Sequence, residues 1–192
     1  MIGYAFCGSF CTLRSSLDAL ERLIGDGYEV QPIMSEITYT EDSRFQSAAE
    51  LKERVEKLTG RKIIHTVHGA KPLGPASPLD AMIISPCTGN TLSKLALGVT
   101  DTAVTMAAKA HMRTDRPLLI ALATNDALSR NLQNIAAMLN RKNVYFVPMR
   151  QDDPIGKPHS LVAEMSVIGE CLSMAMSGMQ YRPIFLEKSG PV

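Results

Sequence analysis

One segment of this sequence combines small and polar residues in a pattern that could hold a cofactor. The apolar run 81–84 predicts a strand buried on both faces, and the spacing of Leu92, Leu95 and Val99 predicts one face of a helix. The connection between them leads to the partially positive start of that helix and offers hydroxyl, amide and backbone N–H groups. Its candidate cofactor-binding residues are Thr88, Gly89, Asn90 and Thr91. The alternative is an ordinary strand-to-helix turn in which Asn or Thr only caps the helix.

Two other strand ends carry residues suited to a phosphate. Gly8 and Ser9 follow the apolar segment 2–6, where a small residue lets the backbone approach an anion and a hydroxyl adds a donor. Ser35 follows the predicted strand 28–34, and the alternative there is a loop serine bonded to its own backbone. The Walker A lysine and the G-x-G-x-x-G pattern are both missing near Gly8, so neither a nucleoside triphosphatase nor the usual dinucleotide fold is expected.

The cysteines and histidines do not predict a metal site. Cys7 and Cys11 are four residues apart, but no second pair of ligands matches them, so we expect no bound metal. His159 lies in a segment with two prolines and a glycine, which predicts a mobile loop near 150–160. Loops of this kind often carry function, and His159 could contact an anionic substrate; the alternative is a solvated polar loop.

Length and composition narrow the class of protein. A chain of 192 residues with 45% apolar residues predicts one globular domain spanning 1–192. The net charge of +1 gives no reason to expect a nucleic-acid partner. No run approaches the roughly 18 apolar residues of a membrane span, and the start lacks the basic region of a signal peptide. Four scattered cysteines fit the reducing cytoplasm better than a disulfide framework.

Strand-like and helix-like segments alternate along the chain, which favours parallel βαβ units. The fold class is therefore predicted as α/β, with a single-domain, doubly wound, open and mostly parallel Rossmann-like sheet. The predicted strands are 2–6, 28–34, 81–84 (ended by Pro86), 117–123 and 143–147, with a short one at 62–67; the predicted helices are 13–24, 43–58, 92–99, 100–112, 124–139 and a C-terminal one at 161–179.

The segment 86–98 carries a family likeness. It resembles the Pro-Ala-Ser-Ala-Asn-Thr segment, with its helix and glycine, of the homo-oligomeric flavin-containing cysteine decarboxylase superfamily. The segment 117–125 is similar to that superfamily's next strand, which ends in Met-Asn. The resemblance covers about residues 1–150 and implies a homo-oligomer with FMN at a subunit interface. It implies Gly8, Ser9 and Ser35 at the phosphate, Thr88, Gly89, Asn90 and Thr91 along the isoalloxazine and ribityl groups, and Asn125 facing the substrate.

Two departures from the superfamily pattern concern its chemistry. The decarboxylases carry a catalytic histidine just before the central strand, where this chain has the histidine-free segment 74–79. Thr124 stands where the superfamily has a methionine before the asparagine. Both differences argue against decarboxylation of a cysteine-containing substrate and agree with a different reaction.

The runs 72–80 and 151–159 make the chain most similar to one family within the superfamily, the B subunits of bacterial dipicolinate synthase. That likeness implies an oxidoreductase subunit acting with an A subunit that carries NADP. Together they would convert a tetrahydro- or dihydrodipicolinate to aromatic dipicolinate in the cytoplasm of the mother cell of a sporulating bacterium. Whether the flavin accepts the hydride or only shapes the site stays open. The candidate cations for the dicarboxylate are Arg113, Arg116, Lys157 and His159.

Two other functions remain open from the sequence. One is a flavin-dependent decarboxylase or prenyltransferase of the same fold, which would work without a partner chain. The other is a non-catalytic partner subunit that binds no flavin and only stabilises or regulates the A subunit.

Overall fold

A seven-stranded sheet forms the middle layer of the computed structural model, which describes residues 1–187. The strands are β1 Ile2–Phe6, β2 Val30–Met34, β3 Met82–Cys87, β4 Leu118–Thr124, β5 Val144–Phe146, β6 Met149–Arg150 and β7 Leu161–Ala163. The order is β2-β1-β3-β4-β7-β6, and β5 pairs with the first half of β4. Strands β1 to β5 pair in parallel, whereas β7 runs antiparallel to both β4 and β6.

Helices cover both faces of this sheet. They are α1 Leu13–Gly25, α2 Glu36–Thr40, α3 Ala48–Thr59, α4 Val67–Ala70, α5 Gly89–Leu97, α6 Ala103–Met112, α7 Leu132–Leu139 and α8 Ile168–Met176. Buried residues of α1 and α8 pack on one face, and those of α5, α6 and α7 pack on the other. Two cores on opposite faces explain why β1, β3 and nearly all of β4 are apolar and buried. The predicted α/β class and doubly wound, mostly parallel sheet are confirmed.

The central strand is longer than the sequence predicts. Strand β3 does not end at Pro86 but passes through a cis Ser85–Pro86 peptide to Cys87. The register against β4 shifts between Ile84 and Cys87, and this irregularity accommodates a proline that cannot donate to the ladder. The carbonyl of Pro86 still accepts the N–H of Cys7 at 3.2 Å. Strand β3 therefore extends to Cys87, closer to the carboxyl edge of the sheet than the sequence predicts.

Two predicted helices begin later than expected. The helix predicted from residue 43 begins at Ala48, because Ser47 and Glu50 form a capping box there. The helix predicted from residue 124 begins at Leu132, because the carboxylate of Asp126 accepts side-chain donors instead of capping a helix. In both places the intervening residues form turns that lie at the carboxyl edge of the sheet.

The C-terminal part of the chain is where the prediction is most wrong. The predicted helix 161–179 is a strand, β7, followed by a 3-10 turn and the shorter helix α8. Residues 161–163 pair as a strand because the end of β4 leaves an open edge, with Ala123 opposite Val162. The predicted strand 62–67 is also wrong, since only one bridge, between Ile33 and Ile64, forms there.

The loop predicted near 150–160 consists of turns joined by side-chain bonds. Asp152 accepts hydrogen bonds from Ser160 and, at 2.9 Å, from the Lys157 ammonium, and Asp153 accepts the N–H of Gly156. Its mobility stays a prediction.

Within residues 1–187, none of the helices combines the length and apolar character needed to cross a bilayer.

A buried histidine makes folding stability depend on pH. His111 is fully buried in α6, its Nε2 lies 2.9 Å from the carbonyl oxygen of Pro117, and its Nδ1 has no partner among the described residues. Burial holds the pKa of His111 below its ordinary value of 6.5. The unfolded chain therefore takes up this proton at a higher pH than the folded chain.

We expect His111 to make no pH-dependent contribution to the free energy of unfolding above pH 6.5 and to lower it as the pH falls toward the folded pKa. Urea unfolding across this range measures the effect. The variant His111→Gln, which keeps a donor for the Pro117 carbonyl, should show a smaller fall than the wild type. Equal falls in the two proteins would contradict this role of His111.

Candidate functional site

Two adjoining clefts open at the carboxyl edge of the parallel strands. The larger cleft has a volume of 990 Å³ and the smaller one 510 Å³. Gly8, Thr88 and Asn90 line both, so the clefts share a wall built from the ends of β1 and β3. Ser9, Gly89 and Asn125 also line the larger cleft, and Ser35 and Thr91 the smaller. The structure thus brings together all the candidate cofactor-binding residues and Asn125, but not His159, Arg113 or Arg116.

The start of α5 forms the shared wall. The hydroxyl of Thr88 accepts the N–H of Thr91 at 3.2 Å and donates to the Thr91 hydroxyl at 3.1 Å. Thr88 therefore caps the helix, as expected if this segment is an ordinary strand-to-helix turn. The N–H groups of Gly89 and Asn90, the first two of the helix, have no acceptor within it. The Asn90 side chain is exposed and makes no hydrogen bond with the rest of residues 1–187. Capping and ligand binding are therefore compatible here.

Gly89 is required by close packing against the neighbouring loop. A Cβ at this position would lie 2.5 Å from both Asn131 Nδ2 and Thr124 Oγ1, and 2.8 Å from Asp126 Oδ1. The Asp126 carboxylate accepts hydrogen bonds from Thr124 Oγ1 at 2.5 Å and Asn131 Nδ2 at 2.8 Å. These bonds, with that from Thr124 the strongest, hold the pKa of Asp126 below its usual range. Asp126 is consequently an ionised anchor for the β4 loop.

Gly8 and Ser35 bring the ends of β1 and β2 together. The N–H of Ser35 donates to the carbonyl of Phe6 at 2.9 Å, and its hydroxyl lies 2.9 Å from the Thr38 hydroxyl. A Cβ on Gly8 would lie 2.6 Å from Ile37 Cγ2. The hydroxyl of Ser9 accepts from Thr12 at 3.0 Å and keeps its own proton to donate. Gly8 therefore lines both clefts at this edge, with the Ser9 hydroxyl at the larger cleft and the Ser35 hydroxyl at the smaller.

The cysteine of the smaller cleft is not a nucleophile. Cys7 is buried, and Thr91 Oγ1 donates a hydrogen bond to its sulfur at 3.3 Å. Burial raises the pKa of the Cys7 thiol to about 11, so it stays protonated at neutral pH. No three His, Cys, Asp or Glu side chains in the described part of the chain are arranged to hold a metal ion.

Most of the basic candidates for an anionic substrate lie elsewhere or are already paired. His159 lies outside both clefts, and its carbonyl accepts the N–H of Leu128. Arg116 pairs with Asp80 at the opposite edge of the sheet, near the N-terminal ammonium, and Arg113 also lies outside both clefts. Lys157 lines the larger cleft, where it pairs with Asp152 at 2.9 Å. The exposed Asn125 amide, by contrast, makes no hydrogen bond within residues 1–187.

The sequence model of the flavoprotein family matches residues 1–174. The chain belongs to the flavoprotein family. It is 41% identical over 186 residues to the B subunit of dipicolinate synthase from Bacillus subtilis (strain 168), a match that covers 97% of this chain and 93% of that protein. The crystal structure of the corresponding B subunit from Bacillus halodurans C superposes with a TM-score of 0.90 at 39% identity, covering 98% of this chain and 96% of the other. The resemblance inferred from the sequence is thereby confirmed.

More distant flavoproteins share the architecture. The FMN-dependent cysteine decarboxylase SpaF superposes with a TM-score of 0.66 at 20% identity, covering 91% of this flavoprotein and 95% of SpaF. A dodecameric FMN-dependent decarboxylase from Escherichia coli O157:H7 has a TM-score of 0.59 at 21% identity, over 77% and 80% of the chains. At these identities the likeness shows the fold alone.

The site of this flavoprotein fits a flavin mononucleotide. Its cleft volumes lie within the range of about 300–1,000 Å³ usual for small-molecule sites. The backbone at Gly8 has no side chain between it and the clefts, hydroxyls of Ser9 and Ser35 stand nearby, and the start of α5 adds free N–H groups. Donors suited to a phosphate and an open space for a planar ring thus occur together.

Some residues of the site carry no clear signal in the sequence. From residue types alone, Asp126 looks like a residue at the start of a helix. The structure shows instead that it accepts hydrogen bonds from Thr124 and Asn131. Arg44 and Phe45 lie in the turn before α3 and line the larger cleft, although the sequence pattern assigned them to a helix. Only the late start of α3, set by the Ser47 capping box, places them there. A serine three residues before Glu50 was the available sequence signal.

Proposed function

We propose that this flavoprotein binds FMN and acts as the B subunit of a dipicolinate synthase, together with an NADP-binding A subunit. The complex would convert dihydrodipicolinate to dipicolinate, pyridine-2,6-dicarboxylate, during sporulation. The observation that carries the proposal is that the ends of three parallel strands, predicted independently to bind a cofactor, line two adjoining clefts. The names of the two relatives at 41% and 39% identity support a role as a dipicolinate synthase subunit.

In this proposal the phosphate of FMN binds where β1 and β2 end. Gly8 lets the backbone approach the phosphate, while the hydroxyls of Ser9 and Ser35 donate to it. The ring and ribityl chain lie along the start of α5, against Thr88, Gly89, Asn90 and Thr91.

The reaction requires a hydride and a proton to leave the dihydropyridine ring, which becomes aromatic. Bound FMN supplies a two-electron acceptor, and the NADP of the A subunit is the second acceptor available to the complex. In this proposal the exposed Asn125 amide would orient a substrate carboxylate at the cleft, and the chain would thereby position the substrate ring for the acceptor. The protonated Cys7 thiol takes no part in covalent chemistry.

We further propose a homo-oligomer with FMN at a subunit interface, located in the cytoplasm of the mother cell. Both clefts are open in the single chain, so a second copy could close them and exclude water. The dodecameric decarboxylase of the same fold is consistent with such an assembly. No nucleic acid or membrane is a partner in this scheme.

A reconstitution assay tests the proposal. Dipicolinate formation is measured with each chain alone and with both, with and without FMN and NADP. We expect product only when both chains and FMN are present. Omitting NADP while supplying FMN then shows which acceptor takes the hydride.

The rival functions give different results in the same experiment. A decarboxylase or prenyltransferase would form product from a cysteine-containing or prenyl substrate without the A subunit. A non-catalytic partner would be colourless after purification and would still raise the activity of the A subunit. Full activity of the A subunit alone would overturn the proposal.

A further inference from the structure

Arg44 is the cation of the larger cleft that lacks an acidic partner among the described residues. The other lining cation, Lys157, is paired with Asp152 at 2.9 Å. The guanidinium of Arg44 lies 4.7 Å from the centre of the Phe45 ring and makes no ion pair or hydrogen bond with residues 1–187. Its side chain is exposed. An anionic ligand entering this cleft would therefore find one full positive charge with all its donors available.

The carboxylates of the same cleft are already engaged. Asp42 accepts the N–H of Ala48 at 2.8 Å. Asp126 is bonded to two side chains of its own loop, and Asp152 to Lys157 and Ser160. These hydrogen bonds stabilise the carboxylates and hold their side chains in place. Asp42 and Asp126 stay negative, and Arg44 is the lining cation whose donors are free to bind an anionic group of a ligand.

A tight turn holds Arg44 and Phe45 in place. The hydroxyl of Ser43 accepts the N–H groups of Phe45 and Gln46 at 3.2 and 3.1 Å, and donates to the carbonyl of Gln46. The Phe45 ring is 59% exposed although it is apolar. A second aromatic ring, that of Phe10, lines the same cleft. An aromatic surface beside a free guanidinium suits a flat ring that carries a carboxylate.

We propose that Arg44 and Phe45 form the substrate subsite of this flavoprotein. Arg44 binds one carboxylate of the dihydropyridine dicarboxylate through two parallel N–H bonds, and Phe45 stacks on its ring. The product, dipicolinate, keeps both carboxylates and serves as the binding probe. This inference rests on the proposed function and names the residues that select its substrate. Both residues bind and position the substrate, and neither transfers a proton or an electron. In the free chain the guanidinium lies over a face of the Phe45 ring, so it must move to the ring edge when the substrate ring stacks there.

Calorimetric titration with dipicolinate, with and without saturating FMN, tests the subsite. We expect Arg44→Gln to weaken dipicolinate binding by about tenfold to a hundredfold, the effect of losing a charge-assisted bond. Arg44→Lys should restore only part of it, because lysine lacks the planar fork. Arg113→Gln, which removes an exposed arginine outside both clefts, should bind dipicolinate like the wild type. FMN retention should be the same in all four proteins.

A neutral probe separates the contribution of charge from that of the ring. Pyridine-2,6-dicarboxamide has the same ring without the carboxylates, so Arg44→Gln should leave its binding unchanged. Phe45→Leu should weaken the binding of both probes, because a stacking surface is lost.

Three results would overturn the inference. The first is that Arg44→Gln binds dipicolinate as tightly as the wild type, and the second is that the wild type binds no dipicolinate. The third is that Arg44→Gln fails to retain FMN, which would assign Arg44 to the flavin. Failure of the proposed function is a separate result. A wild type that retains no FMN and forms no product would refute that function, while the titration without FMN would still report on Arg44.

Discussion

Replacing Gly89 with alanine is expected to destabilise the protein and to weaken FMN binding at the same time. The new Cβ would lie 2.5 Å from Asn131 Nδ2 and from Thr124 Oγ1, so these side chains must shift and their hydrogen bonds to Asp126 are disturbed. Overpacking of this kind costs about 1–3 kcal/mol. For a chain of this length, Tm then falls by about 2–4 °C for each kcal/mol.

A glycine in the first turn of another helix provides the matched control. A Cβ on Gly169, near the start of α8, would meet only Asp26 Oδ2, at 3.9 Å. Gly169→Ala should therefore keep or raise Tm, because alanine favours a helix by up to about 1 kcal/mol over glycine. Thermal unfolding and FMN titration of both variants separate a steric effect from a general effect of alanine. A Gly89→Ala protein with wild-type Tm and FMN affinity would contradict the packing described here.

Replacing Asn90 with alanine is expected to weaken FMN retention without changing the fold. The Asn90 amide is exposed, lines both clefts and makes no hydrogen bond within residues 1–187, so the protein without ligand loses little. The loss of one or two hydrogen bonds to the flavin should lower FMN affinity by about tenfold. Fluorescence titration of FMN measures the affinity, and thermal unfolding of the unliganded protein checks the fold.

Asn140 supplies the control for this substitution. It is an exposed asparagine at the end of α7 and lies outside both clefts. Asn140→Ala should therefore bind FMN like the wild type. Unchanged FMN affinity in Asn90→Ala would count against the placement of the flavin along the start of α5.

The sequence was most informative for the buried strands, because their apolar runs also fix where their ends lie in the fold. Fully buried β1 and β4 appear as short apolar runs, and the end of each buried parallel strand must lie at the same edge of the sheet. Gly8, Ser35 and Asn90 could therefore be grouped from the sequence alone. The family likeness of segment 86–98 then pointed to the same edge.

The residues that the sequence did not place depend on contacts between distant segments. Strand β7 forms because β4 leaves an open edge, which no local pattern in residues 161–163 reveals. Asp126 interacts with Thr124 and Asn131 rather than with a helix end, and these three side chains pack against Gly89 of a distant segment. Arg44 lies at the cleft only because α3 starts late.

The visible absorption spectrum of the purified chain, recorded after FMN is added and excess flavin is removed, tests flavin binding most directly. We expect a flavin band that stays with the protein at about one FMN per chain, as a single shared site requires. The band should be reduced in Asn90→Ala and retained in Asn140→Ala. A wild-type protein that is colourless after this treatment would contradict the assignment of the carboxyl edge as an FMN site.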